Sequence, residues 1–99
     1  MVKKLEILPE AAQDIADAYD WYERCRVGLG VEFLDKLDDC FRSIQQFPES
    51  HGLVRKNYRR ALVQRFPYSV FYEHESDLVA VYCVFHGSQN PKRWQRRLR

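Results

Sequence analysis

The stretch Arg59-Arg60-Ala61-Leu62-Val63-Gln64-Arg65-Phe66-Pro67-Tyr68-Ser69-Val70-Phe71-Tyr72-Glu73-His74 decides the fold, together with the apolar run Leu78–Phe85 that follows Glu75-Ser76-Asp77. β-Branched and aromatic residues dominate three segments, about 60–66, 68–74 and 78–85, which Pro67 and the polar 75–77 link separate. This pattern predicts three strands joined by short turns into an antiparallel meander. In the last segment both alternating sets are apolar: Leu78, Ala80, Tyr82 and Val84 on one side, Val79, Val81, Cys83 and Phe85 on the other. A sheet with one face in water alternates cleanly between apolar and polar residues. This one is therefore expected to be covered on both faces.

Upstream, Val2–Leu8 reads as a short strand stopped by Pro9. Proline suits the first turn of a helix, and Glu10 favours the positive end of its dipole. The N-cap would be Leu8, which offers no side-chain acceptor, so this helix start is expected to be weak. Ala12, Ile15, Ala16, Tyr19 and Tyr22 then recur at helical spacing until Gly28 and Gly30 break the run. Leu34, Leu37, Phe41 and Ile44 mark a second helix over about 31–47, widened by Phe33, Cys40 and Phe47 and ended by Pro48. The short link implies an antiparallel helical hairpin. Residues 48–58 read as a loop. The predicted architecture is a single α+β domain over 1–99, in the order β-α-α-β-β-β. An antiparallel sheet carries the helical hairpin packed on one face, and a polar, basic tail begins at about 91. Two helices cover one face only. The other is expected to need the tail around Trp94 or a partner chain, because so large an apolar patch is unusual on a monomer.

Charge is distributed unevenly. The net charge of +2 conceals a net of −5 over residues 1–50 and +7 over residues 51–99. Such a dipole presents one surface to anions and the other to water or a basic partner. Cys25, Cys40 and Cys83 are odd in number and lack CxxC or Cys/His spacing, which points to buried thiols in a reducing, cytoplasmic compartment. The N-terminal residues lack the apolar core of a signal peptide, and the eight-residue apolar run 78–85 is far too short to span a membrane. His51, His74 and His86 share no ligand spacing with a cysteine or acid, so no metal is expected. No glycine-rich phosphate loop or nucleophile elbow occurs, so no cofactor is expected either.

Five segments in this order resemble the RelE/ParE family of toxins from type II toxin–antitoxin (plasmid stabilisation) modules. They are Leu8-Pro9-Glu10-Ala11-Ala12-Gln13-Asp14-Ile15; Gly28-Leu29-Gly30-Val31-Glu32-Phe33-Leu34; Phe47-Pro48; Arg65–Tyr72; and His86-Gly87-Ser88-Gln89-Asn90-Pro91-Lys92-Arg93-Trp94. The details are closer to the ParE branch, with two departures: Leu8 where the family often has Ser or Thr, and Ser88-Gln89 where an Arg is common after His-Gly. The resemblance implies a toxin neutralised in a hetero-oligomer by a small antitoxin whose acidic or amphipathic segment folds on binding. It also implies inhibition of DNA gyrase by binding, without catalysis. The alternative is ribosome-dependent mRNA cleavage of RelE type, and a third reading is an inactive, toxin-like interaction module.

These readings use different residues. Binding to gyrase would fall to Lys92, Arg93, Trp94, Arg96 and Arg97, since Trp and Arg dominate interface energetics. An endoribonuclease needs a base, an acid and cations around the phosphorane. Here Arg60, Arg65, His86 and Arg93 are the candidates, with Tyr68 or Tyr82 as a phenolic acid or stacking partner. Antitoxin contacts are expected at Trp21, Arg59, Arg60, Arg65 and Tyr82, and on the Val79/Val81 or Tyr82/Val84 face. Direct nucleic-acid binding is permitted by the basic, aromatic composition but is favoured least, since no helix-turn-helix or ribonucleoprotein-type aromatic pair is present.

Overall fold

A computed structural model of the chain describes residues 3–98. The elements are β1 (Lys4–Ile7), α1 (Pro9–Cys25), α2 (Leu29–Gln46), β2 (Leu53–Arg55), β3 (Tyr58–Leu62), β4 (Tyr68–Glu75), β5 (Leu78–His86) and α3 (Pro91–Arg97). The class, the hairpin and the meander agree with the sequence reading. The sheet, however, is mixed: its order is β1-β5-β4-β3-β2, and β1 runs parallel to β5. The helical hairpin carries the chain from β1 at one edge to β2 at the other, and β5 comes to lie beside β1 only after β3 and β4, so no tight turn links the parallel pair. β2 was expected to be loop; three residues are too few to show a strand period.

α1 starts as expected, with Leu8 at the N-cap making no side-chain cap and Pro9 in the first turn. The turn into α2 is built around Glu23. Its carboxylate accepts the Gly28 N–H at 3.1 Å and the Gly30 N–H at 2.9 Å, satisfying donors that the uncapped start of α2 would leave open. Gly28 takes the left-handed conformation at φ 92°. Gly30 serves a different need: a Cβ there would lie 2.7 Å from Glu23 Cγ and 2.8 Å from Tyr19 Cδ1. Gly30→Ala is therefore expected to lower stability by about 1–3 kcal/mol through overpacking, read as a shift in a urea midpoint.

The hairpin packs Ala11, Ala18, Phe33, Leu37, Cys40 and Ile44 against Ala61, Val63, Val70, Tyr72, Val79, Val81 and Val84 of the sheet layer. Tyr22, Phe33, Phe66 and Tyr68 meet at ring-centroid distances of 5.0–6.0 Å, so the Phe66-Pro67-Tyr68 turn is pinned beneath the hairpin. Tyr72 is fully buried and donates its hydroxyl to Pro48 O at 2.6 Å, which ties the 47–52 loop to the core.

The second face of the sheet is covered by the chain itself. Tyr58, Phe71, Cys83, Phe85 and Leu98 form a second buried cluster, with Trp94, Val54 and Tyr82 packed on it. Trp94 stacks on Phe71 with ring centroids 4.6 Å apart, and Leu98 is 0% exposed. Of the two coverings expected, the tail around Trp94 and a partner chain, the tail supplies it, as the two-turn helix α3. The simple alternation expected for β5 also fails. The register slips between Phe71 and Tyr72, leaving Tyr82 as the extra residue of a β-bulge. Val79, Val81 and Val84 therefore face the hairpin, while Cys83 and Phe85 face α3.

Candidate functional site

The bulge lies where β1 has ended, so the outer edge of β5 has no strand partner beyond Val81. Unpaired backbone groups at a sheet edge demand other partners. Asp14 of α1 and Arg97 of α3 supply them. Asp14 Oδ2 accepts the Val84 N–H at 3.0 Å, and Arg97 Nη2 donates to Tyr82 O at 3.1 Å. The two side chains also pair bidentately, both N–H···O contacts at 3.0 Å. The Arg97 guanidinium lies 5.0 Å from the Phe85 ring centroid, and its Nε is 3.6 Å from Glu10 Oε2. Burial opposes the Arg97 charge, but the Asp14 hydrogen bonds outweigh it and hold the guanidinium above its ordinary pKa. Cys83 beside this clamp is pushed up to about 12, chiefly by burial, so it is an inert thiol at neutral pH; Cys40 is buried too, whereas Cys25, expected to be buried, is exposed at the end of α1.

Of the tail residues expected to contact a target, the structure thus divides two from three. Arg97 and Trp94 face inward and hold α3 on the sheet; neither is a displayed anchor. Lys92, Arg93 and Arg96 are exposed on the outer side of α3. Asn90 caps the helix by accepting the Lys92 N–H at 3.0 Å. Arg93 and Arg96 line a cleft of about 580 Å³ with Arg97, Glu10 and Phe85. On the other flank, Arg96 and Lys92 line a shallow cleft of about 350 Å³ with Arg55 and Gln95. Arg55 reaches across from β2 to donate to Gln95 O at 3.3 Å.

The residues proposed for ribonuclease chemistry sit on different elements, with His86 paired to Tyr68 beside the β3–β4 turn that carries Arg65. His86 ends β5, and its Nδ1 meets both the Ser88 N–H at 2.9 Å and Ser88 Oγ at 2.7 Å. Its ring packs edge-on to Tyr68 at 5.2 Å. Arg93 lines the cleft beside Glu10, and His86 is not among that cleft's walls. Arg60 pairs with Phe71 in mid-sheet, while Arg65 occupies the β3–β4 turn at φ 69°. Among the antitoxin candidates, Arg59 is committed to the 47–52 loop, donating to His51 O at 2.6 Å and Glu49 O at 3.3 Å. Tyr82 packs edge-on to Tyr58 and donates to Glu73 Oε1 at 3.4 Å; burial first, then Tyr58 and Glu73, push its hydroxyl up to about 12. Val79 and Val81 are buried beneath the hairpin.

Sequence reasoning missed the outer groove of the hairpin. Ala12, Ile15, Ala16, Tyr19, Asp20, Val31 and Leu34 line a mainly apolar depression of about 370 Å³ between α1 and α2. Val31 remains 51% exposed there. The signal was present in the sequence: Ala12, Ala16 and Tyr19 lie on a different side of α1 from the buried Ala11 and Ala18. That second stripe was read as core. Trp21 is exposed at 59%, but the 3.6-residue period sets it on the opposite flank of α1 from this groove.

Comparison with known proteins places this geometry. Residues 5–91 match the family described as ParE toxin of type II toxin-antitoxin system, parDE. The chain belongs to the ParE toxin family. It is similar to the Toxin ParE2 sequences of Mycobacterium tuberculosis strains CDC 1551 / Oshkosh and ATCC 25618 / H37Rv, each 24% identical over 96 residues, covering 92% of this chain and 88% of the relative. Its fold matches a solved chain of the chromosomal ParDE system of P. aeruginosa with a TM-score of 0.75 at 16% identity, covering 86% of this chain and 96% of that one. It also matches a chain of the RelBE2 toxin–antitoxin complex of M. tuberculosis with a TM-score of 0.58 at 16% identity, covering 87% and 99%. The family match ends at Pro91, so α3 lies almost wholly outside it, while Asp14, the clamp's other half, lies inside.

Proposed function

We propose that this toxin acts by binding, with DNA gyrase as its target, and not by cleaving RNA. The supporting observation is that, among the described residues, His86 makes no hydrogen bond to Arg60, Arg65 or Arg93, does not line the cleft that holds Arg93, and has its Nδ1 engaged by Ser88. Acid–base cleavage needs these groups converging within hydrogen-bond reach of one phosphate. The surface assigned to the target is the outer side of α3: Lys92, Arg93 and Arg96. Trp94 and Arg97 hold that helix in place. The antitoxin is assigned to the hairpin groove, whose small-residue floor and apolar walls suit one face of an amphipathic helix. The acids on the exposed faces of α1 and α2 favour basic residues flanking that helix.

Two assays on the purified chain separate the activities. Inhibition of gyrase supercoiling, unaffected by His86→Ala, is the expected result. Cleavage of mRNA on translating ribosomes that His86→Ala abolishes would replace this reading with the ribonuclease. If neither activity appears and induction leaves growth unaffected, the chain is an interaction module.

A further inference from the structure

The second half of the chain carries a net charge of +7, and the tertiary structure gathers much of it around α3. Lys92, Arg93 and Arg96 occupy the outer side of the helix, and Arg55 joins them across the shallower cleft. Arg60 is exposed on the same face of the sheet, directly opposite Phe71, on which Trp94 stacks. Among the described residues, Arg55, Arg60, Lys92 and Arg93 have no carboxylate partner. Glu10 is the one acid lining either cleft, and it is turned toward Arg97. Arg55, Arg60, Lys92 and Arg93 are therefore concentrated on one surface without a carboxylate partner among the described residues, an arrangement that attracts a polyanion.

The aromatic side chains of this face narrow the choice of polyanion. Tyr58, Phe71 and Phe85 are each at most 6% exposed, and Trp94 is stacked on Phe71. Of these four rings only Trp94 is partly exposed, and one ring does not make the run of rings on which single-strand binders stack successive bases. An acidic protein partner would bring its own apolar anchors to the centre of the contact. Neither cleft supplies an exposed large apolar side chain to receive them. Phosphates held in a regular array, without access to their bases, remain.

We propose that the ridge formed by Arg55, Arg60, Lys92, Arg93 and Arg96 binds the sugar–phosphate backbone of duplex DNA without sequence preference. Because the same residues are assigned to the target, this inference rests on that reading and has the toxin meet the gyrase–DNA complex through its DNA; the duplex assay and the supercoiling assay can fail separately. The contact would act wherever the chain is held near DNA, as on a DNA-bound target.

The test is fluorescence anisotropy of the purified chain with labelled 20-base-pair duplexes of two unrelated sequences and with their separated strands. Engagement of about four phosphates gives a log–log salt slope of about −3.6, or about a 150-fold loss of affinity between 50 and 200 mM salt. Both duplexes should bind equally, and each more tightly than its strands. The double variant Lys92→Glu/Arg93→Glu should flatten the slope by about 2. Acids in the first turn favour a helix, so α3 should stay formed, which thermal unfolding checks. The proposal is overturned by any one of four outcomes: no saturable duplex binding at 50 mM salt, tighter binding of single strands, unchanged binding by the double variant, or displacement of the duplex by polyglutamate at equal charge concentration.

Discussion

Arg97→Ala is expected to lower stability by about 3–5 kcal/mol, a large share of the 5–15 kcal/mol that holds a small domain folded. The pair is well enclosed, with side chains 20% and 15% exposed for Arg97 and Asp14. Removing the guanidinium leaves the Asp14 carboxylate with the Val84 N–H as its remaining partner and leaves Tyr82 O at the bulge without its donor. It also uncovers Phe85 and releases the last turn of α3. Urea unfolding of Arg97→Ala, Asp14→Ala and the double variant measures the coupling. The double variant should be clearly less destabilised than the sum of the single changes, because each single change strands a charge that the double change removes. Arg97→Lys should recover only part of the loss, since a point charge cannot reproduce the bidentate fork. Additive single effects would show that the clamp contributes little.

Truncation after Pro91 is expected to do more: the shortened chain should fail to unfold cooperatively and should aggregate. It removes the Trp94 stack, the Arg97 clamp and the fully buried Leu98 together. Leu→Ala changes at such sites cost about 2–5 kcal/mol each, and Trp→Ala about 3–5 kcal/mol, with the lower end expected for the half-exposed Trp94. Their sum reaches the stability of the whole domain. Exposing Phe71, Cys83 and Phe85 also leaves a contiguous apolar patch on the sheet. Loss of growth arrest on truncation would therefore report unfolding and say nothing of target contact. Lys92→Glu/Arg93→Glu is the discriminating change, since both residues are exposed on a helix held by other side chains. It should retain the wild-type melting temperature to within a few degrees and lose gyrase inhibition. A truncated chain with a sharp thermal transition would contradict the role given to α3.

The placement of the exposed cations and of the apolar groove shows how a local pattern underdetermines a surface. Helical spacing located α1 and α2 because their apolar residues recur every three or four positions, and strand composition located β3, β4 and β5. The hairpin groove went unrecognised because Ala12, Ala16 and Tyr19 are apolar like the core residues beside them, and periodicity does not say which of two adjacent stripes a sheet will cover. Trp94 and Arg97 were read as a displayed anchor because a short basic tail carries no periodic signal. Their inward positions depend on Phe71 and Asp14, 23 and 83 residues away in sequence.

The sequence alone determined the α+β class, the helical hairpin, the meander and the family likeness, because each rests on local spacing or on short segments in a set order. Only the tertiary structure decided that β1 enters parallel, that a bulge at Tyr82 reverses the facing of β5, and that α3 seals the second face of the sheet. Those features follow from pairings between residues distant in the chain. Their energy comes from satisfying buried backbone groups and covering apolar surface, and no local pattern records which distant side chain will do either.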